Sequence, residues 1–95
     1  MARSVATVPT ENGWKYLQQL CKHWSHKLDV ELGEKSGTVR FAEATATMSA
    51  DGSALTVTIE AVSDEVLERM KGVVASHLDR FASREAPLPF EWRAD

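Results

Sequence analysis

The sequence predicts a two-layer α+β fold in which two helices cover one face of a curved antiparallel sheet. Three observations support this prediction: two segments repeat apolar residues every three or four positions, four consecutive segments alternate them, and turn-forming residues separate the segments. The predicted order is one strand, one helix, four strands, one helix and one strand. Each strand is apolar on one face only, so both helices are expected to pack on that face.

The first strand and the first helix are predicted in the first third of the chain. Ser4 to Val8 is a short run rich in β-branched residues that ends at Pro9. A helix is predicted over residues 11 to 27, where Thr10 supplies an N-cap oxygen and Glu11 a first-turn carboxylate. Its apolar arc of about 120° consists of Trp14, Leu17, Leu20, Cys21, Trp24 and Leu28. Inside that arc, Cys21 is expected to be a small buried hydrophobe and not a catalytic thiol.

The middle of the chain predicts a meander of four antiparallel strands. The apolar period changes to two at Leu28 and stays at two as far as Ala61. Turn residues interrupt it at Gly33 to Gly37 and at Asp51-Gly52. One face of the resulting sheet should be covered and the other should meet water.

A second, longer helix is predicted over residues 64 to 84, with Ser63 as its N-cap. Gly72 lies in its middle at a cost of about 1 kcal/mol relative to alanine, and we expect the ring of Trp14 or Trp24 to pass close to it. The alternation after Pro87 predicts an edge strand. The complete order is closest to a TATA-binding-protein-like topology, with a ferredoxin-like sandwich as the alternative.

Composition excludes several classes of protein. The 95 residues are expected to form one domain, residues 1 to 95, and their net charge of −3 disfavours nucleic acid as a partner. Cys21 is the only cysteine, which forbids an internal disulfide and fits a reducing compartment. Neither a signal peptide nor an apolar stretch long enough to span a membrane is evident, so a cytoplasmic location without membrane association is expected.

Two histidines near the end of the first helix suggest a metal site. His23 and His26 are three residues apart, so their imidazoles could converge on one metal ion with either Asp29 or His77 as the third ligand. The protein would then be a metal-binding protein or a metal-dependent enzyme. Two histidines and a carboxylate would suit zinc or non-haem iron. The alternative is a pair of solvent-facing histidines near a helix C-terminus, whose partial negative charge favours imidazolium, and in that case no cofactor is bound.

The second helix carries a basic stripe. Arg80 and Arg84 follow His77 at three and seven residues, and guanidinium groups bind carboxylates or phosphates bidentately. If the two helices lie side by side, His23 and Lys27 of the first face this stripe and complete a basic groove for an acidic ligand. The structural alternative is that both arginines complement the helix dipole and that Arg84 and Glu85 tie the second helix to the last strand.

The sequence offers little support for catalysis. It contains neither a glycine-rich phosphate loop nor the nucleophile elbow of the hydrolases. A binding module is therefore favoured over an enzyme, although the sequence leaves both functions open. The solvent side of the sheet has mixed charge and no aromatic platform, which also argues against nucleic acid. A homodimer through this face or an edge strand is a further alternative.

Two segments resemble those of a bacterial family, the domain of unknown function 2218. They are Leu20 to Leu28 and His77 to Glu85, together with Trp92. The resemblance implies a domain that stands alone or follows a siderophore-interacting flavin reductase, and thus a loose link to siderophore and iron handling, with no established reaction. The matching positions are His23, His26, Lys27, His77, Arg80, Phe81, Arg84, Glu85 and Trp92.

Overall fold

The elements of the protein follow the predicted order in a computed structural model that describes residues 2 to 94. They are β1 (Ala2–Pro9), α1 (Gly13–Trp24), β2 (Asp29–Gly33), β3 (Ser36–Arg40), β4 (Ala44–Ala50), β5 (Ala54–Ala61), α2 (Asp64–Phe81) and β6 (Trp92–Ala94). This confirms the α+β class. Four strands lie between the helices, as in the TATA-binding-protein-like order, whereas the ferredoxin-like alternative has two strands there.

All six strands belong to one antiparallel sheet with the order β2-β3-β4-β5-β1-β6. The four strands between the helices form the predicted meander. The first strand of the chain lies inside the sheet, since it pairs with β5 from Ala2↔Ala61 to Pro9↔Ala54 and with β6 on its other side. The last strand is an edge strand, as predicted, but it begins only at Trp92, so Pro89 precedes it and does not lie inside it.

Both helices pack on the apolar face of the sheet, and the core lies between the two layers. Leu17 and Leu20 of α1, Leu78 of α2 and Val57 and Ile59 of β5 are fully buried. Each such side chain contributes about 1.5 to 3 kcal/mol by leaving water. Cys21 is also fully buried in this core, as expected for a small hydrophobe.

The start of α1 differs from the prediction. The helix begins at Gly13 and ends at Trp24, and Asn12, not Thr10, is its N-cap residue. Thr10 instead accepts a hydrogen bond from the Asn12 backbone N–H at 3.1 Å, which closes a turn before the helix. Glu11 lies in that turn, so the first helical turn contains no carboxylate.

The second helix confirms its predicted start but not its predicted end. The Ser63 hydroxyl accepts a hydrogen bond from the Val66 N–H at 3.2 Å, as an N-cap does. The helix ends at Phe81, three residues earlier than predicted. The expectation for Gly72 is wrong: a Cβ placed there would meet no atom within 4 Å, because the residue faces open space and neither Trp14 nor Trp24 packs on it. Within residues 2 to 94, neither helix combines the length and hydropathy needed to cross a membrane.

Candidate ligand-binding groove between the helices

The two helices lie side by side and run in opposite directions. Tyr16, near the start of α1, hydrogen-bonds to Glu85, just beyond the end of α2. His23, near the end of α1, has its ring centroid 5.6 Å from that of His77. The space between these two contacts is called the interhelical groove below. Its α1 side carries Lys15 and His23, and its α2 side carries His77, Phe81 and Arg84.

A cluster of rings connects the core to this groove. The buried Trp24 packs edge-on against Phe41 at 5.0 Å and against His77 at 4.9 Å between ring centroids. The exposed His23 contacts His77, and its ring meets the edge of Phe81 at 6.0 Å. The predicted pairing of His23 with the second helix is therefore seen in the structure, and the apolar neighbours restrict both imidazoles.

His77 is half-buried and has a polar partner. Its Nδ1 atom lies 2.7 Å from the carbonyl oxygen of Val73, one helical turn earlier. Because a carbonyl oxygen can only accept a hydrogen bond, Nδ1 must carry the hydrogen. In the neutral ring, Nε2 is therefore the nitrogen with a free lone pair.

A pocket of about 380 Å³ forms the end of the groove near the N-terminus of α1. It is lined by Asn12, Lys15, Tyr16, Phe81, Ala82, Ser83, Arg84 and Glu85. Lys15 and Arg84 place two cations on its walls, against the single carboxylate of Glu85. The pocket is therefore suited to a small anion.

The carboxylate of Glu85 is committed to the segment that precedes α1. It accepts hydrogen bonds from Thr10 Oγ1 at 2.9 and 3.0 Å, from Asn12 Nδ2 at 3.2 Å and from the Tyr16 hydroxyl. These donors, Tyr16 foremost, hold the pKa of Glu85 below its ordinary value, and the hydrogen bond to Glu85 together with burial raises the pKa of Tyr16. Glu85 thus ties the end of α2 to α1, whereas we expected it to tie α2 to the last strand.

The last segment is attached to α2 by a different residue. Asp79 Oδ1 accepts a hydrogen bond from the Leu88 backbone N–H at 2.9 Å. Arg84 makes no ion pair with Glu85 or with any other carboxylate in residues 2 to 94. The structural alternative, in which Arg84 and Glu85 tie α2 to the last strand, is therefore wrong, because Asp79 makes that contact and the oxygens of Glu85 are engaged elsewhere.

The cations around the groove lack carboxylate partners, in contrast to several other basic residues. Across residues 2 to 94, Arg40, Arg69 and Lys71 form ion pairs, while Lys15, Lys27, Arg80 and Arg84 form none. Arg80 lies on α2 three residues after His77 and thus on the same side of the helix, whereas Arg84 lies beyond the helix end and lines the pocket. Lys27 follows α1, and its ammonium group contacts no partner in the described chain.

The predicted metal ligands of the first helix are not brought together. No three His, Cys, Asp or Glu side chains of residues 2 to 94 cluster closely enough to hold a metal ion. His26 is exposed in the turn after α1, because the helix ends at Trp24. Asp29 lies on β2, where its carboxylate is 3.5 Å from the Arg40 guanidinium.

A second pocket, of about 300 Å³, has the opposite character. It lies near the start of α2 and is lined by Phe41, Ala42, Glu43, Ala44, Thr45, Glu60 and Val62. Glu43 and Glu60 are its only charged lining residues. Its electrostatic potential therefore disfavours an anion, which leaves the interhelical groove as the better candidate.

The comparisons place the chain in a family. A family model described as "uncharacterized protein conserved in bacteria", the domain of unknown function 2218 (DUF2218), matches residues 5 to 93. The chain belongs to this DUF2218 family. The resemblance to this family is thereby confirmed. The second resembling segment, His77 to Glu85, lines one side of the groove of this DUF2218 domain, and the first contributes His23 to the other side.

A solved structure shows the same fold. The NMR structure of PA4090 from Pseudomonas aeruginosa is 33% identical in sequence, with 98% of this chain and 96% of that chain covered, and its TM-score is 0.84. No match was found among curated proteins. The family and the fold of this DUF2218 domain are thus shown. The groove between the helices is the feature that bears on its function.

Sequence reasoning missed the pocket at the end of the groove. Lys15 could have been found, since it precedes His23 by two steps of four residues on the same helix. The hydrogen bonds of Glu85 could not have been predicted, because their partners are separated from Glu85 by 69 to 75 positions in the sequence. No local pattern specifies the turn that brings these residues together.

Proposed function

We propose that this DUF2218 domain is a non-catalytic binding module of the bacterial cytoplasm whose interhelical groove holds an acidic small ligand or an acidic segment of a partner protein. The ligand-binding residues are His23, Lys27, His77, Arg80 and Arg84, to which the structure adds Lys15. The observation that carries the proposal is the close approach of His23 and His77 across a groove whose arginines have no carboxylate partner in residues 2 to 94.

The groove has the opposite sign to the whole chain. The net charge is −3, yet α1 contains no acidic residue, the last turn of α2 carries Arg80, and Arg84 lines the pocket just beyond the end of that helix. Hydrogen bonds to charged groups are worth about 1.5 to 3 kcal/mol each, whereas exposed ion pairs often contribute less than about 1 kcal/mol. At about 2 kcal/mol each, two or three such bonds supply about 4 to 6 kcal/mol, which corresponds to a dissociation constant between about 1 mM and about 0.04 mM.

Glu85 supports a binding role over general base catalysis. It is the one carboxylate on the pocket wall, and both of its oxygens accept hydrogen bonds. Since those bonds lower the pKa of Glu85, it is a weak base at neutral pH. The walls therefore offer cations and fixed donors that suit an anion.

A metal chelate with free carboxylates is one form of acidic ligand. The resemblance implied a loose link to siderophore and iron handling, which makes ferric citrate a suitable probe beside citrate and inorganic phosphate. Citrate and phosphate test the anion alone. A preference for ferric citrate over both would favour the iron connection.

Calorimetry at low ionic strength tests the proposal with a matched pair of variants. Arg80→Ala combined with Arg84→Ala should weaken citrate binding about tenfold or more, because two charge-assisted bonds are lost. Arg69→Ala combined with Arg93→Ala removes the same charge from exposed sites outside the groove and should leave binding within about twofold of the wild type. Equal heats of binding in both double variants, or no binding of any probe by the wild type, would refute the function.

A further inference from the structure

The two histidines of the groove have the spacing of imidazoles that share one metal ion. A zinc–nitrogen bond of about 2.0 Å places the ring centroids of two ligands roughly 4.5 to 6.4 Å apart for N–Zn–N angles of about 90° to 180°. His23 and His77 are 5.6 Å apart by this measure, with their planes inclined by 46°. This separation is close to the value of about 5.2 Å for a tetrahedral angle.

The hydrogen bond of His77 has the form found around metal ligands. Metal-bound histidines usually donate the N–H of the other ring nitrogen to a carbonyl or carboxylate, which fixes the tautomer. Nδ1 of His77 makes this bond to the Val73 carbonyl oxygen at 2.7 Å. The lone pair of Nε2 is thereby left for an ion.

The neighbouring rings restrict both imidazoles before any ion arrives. His77 packs on Trp24 at 4.9 Å, and His23 meets Phe81 at 6.0 Å, measured between ring centroids. A ligand that is already held in one orientation loses less conformational entropy on binding. The apolar rings also lower the local dielectric, which strengthens the bonds to a cation.

We propose that His23 and His77 form a two-imidazole site for a borderline divalent transition-metal ion such as Zn²⁺. Imidazole nitrogens suit this class of ion, whereas Mg²⁺ and Ca²⁺ require oxygen ligands. Two tetrahedral positions stay open for water or for an oxygen of the anion in the groove. This pair replaces the set of His23, His26 and Asp29, since the structure does not assemble those three residues.

The metal site goes beyond the proposed function and does not depend on it. Arg80 and Arg84 repel a free divalent cation, so their double replacement by alanine should retain or strengthen zinc binding while it weakens citrate binding. The two proposals can therefore fail separately. A wild-type protein that binds Zn²⁺ but not citrate would speak only against the anion groove.

The test is zinc titration of the untagged protein by calorimetry, with a matched histidine control. Zn²⁺ should bind at one ion per chain. His23→Ala should lower the zinc affinity about tenfold or more, because loss of an outer-shell partner already costs about tenfold and loss of a ligand should cost at least as much. His26→Ala removes an exposed histidine outside the site and should leave the affinity within about twofold of the wild type. Mg²⁺ should not bind.

NMR spectra of the histidine rings provide a second measurement that does not depend on a variant folding. In the wild type, Zn²⁺ should shift the ring signals of His23 and His77 together and leave those of His26 unchanged. An unchanged affinity in His23→Ala, an equal loss in His26→Ala, or ring shifts that spare His77 would each overturn the proposal.

Discussion

Glu85 shows how a single side chain can join two elements and shape a pocket. Its carboxylate accepts hydrogen bonds from Thr10, Asn12 and Tyr16, and so fixes the turn before α1 against the end of α2. Tyr16 is buried, so loss of the hydrogen bond from its hydroxyl to Glu85 would lower the free energy of unfolding.

Replacement of Glu85 by glutamine should destabilise the protein by about 1 kcal/mol or more at pH 7, because the new amide nitrogen cannot accept from the three donors. The folded pKa of Glu85 lies below its ordinary value of 4.5. Its ionised form therefore stabilises the fold above about pH 4.5, and this contribution is lost as the pH falls through the lowered pKa. Urea denaturation at several pH values measures the effect.

The control for this experiment is Glu91→Gln, which changes an exposed carboxylate near β6. It should alter the free energy of unfolding by less than about 0.5 kcal/mol at any pH. A cost for Glu85→Gln that stays the same from pH 7 to pH 3 would show that the ionised carboxylate does not stabilise the fold.

The positions of side chains around a helix were predictable from the apolar periodicity, whereas those of residues outside the helices were less predictable. His23 and His77 could be set on facing stripes because each helix has a strong apolar period. The three hydrogen-bond donors of Glu85 could not be predicted, because the helix ends at Phe81 and the following turn directs residues 82 to 85 toward α1. Secondary-structure propensity is a local property and does not predict the hydrogen bond between Tyr16 and Glu85, which are 69 residues apart.

The glycine in the middle of α2 provides a test at the scale of one element. Gly72 is exposed, and an added Cβ would touch nothing within 4 Å. Gly72→Ala should therefore stabilise the protein by about 1 kcal/mol, the difference in helix propensity, and raise the Tm by about 4 to 8 °C. A thermal denaturation scan measures this, and a lowered Tm would mean that Gly72 serves a contact that the structure does not show.

A glycine in β3 should behave in the opposite way. A Cβ on Gly37 would lie 2.6 Å from the Sγ atom of Cys21, which is buried between α1 and the sheet. Gly37→Ala should therefore destabilise the protein by about 1 to 3 kcal/mol through overpacking.

Cys21→Ala removes the sulfur that causes the clash. In the double variant, the added cost of Gly37→Ala should shrink, which gives a coupling free energy of about 0.5 kcal/mol or more in a double-mutant cycle. Urea denaturation of the four proteins measures it. Strict additivity would contradict the close approach of α1 to β3.

The types of element were predictable, but their ends were not. Ser63 was predicted correctly because its hydroxyl has no competing partner, and it caps α2. Thr10 was also a good candidate, yet its hydroxyl donates to Glu85 and accepts from Asn12, so the helix starts two residues later than predicted. Tertiary contacts therefore override local capping preference at this end of α1.

The basic residues of the molecule fall into two groups, paired and unpaired, that are separated in space. On the solvent face of the sheet, Arg40 pairs with Glu31 at 2.9 Å and with Asp29 at 3.5 Å. On the helical layer, the cations beside the groove remain without carboxylate partners in residues 2 to 94. A homodimer through the sheet face stays a prediction.

This separation predicts a strong salt dependence of anion binding. Exposed cations are screened as the Debye length falls from about 30 Å at 0.01 M salt to about 8 Å at 0.15 M. The affinity for citrate should therefore fall severalfold over this range, while the Tm changes little because the core is apolar. Calorimetry at the two salt concentrations measures the first effect and a thermal scan the second. A salt-independent affinity would indicate a binding mode that does not use the cations of the groove.

An NMR titration of the labelled domain with citrate is the most direct test of where an anion binds. The backbone amide shifts should be confined to the two sides of the interhelical groove, around Lys15 and His23 on α1 and from His77 to Glu85 on α2. The amides of Thr47 and Thr58, on the opposite face of the sheet, should not move. Shifts centred on the sheet face, or spread evenly over the molecule, would contradict a binding site between the helices.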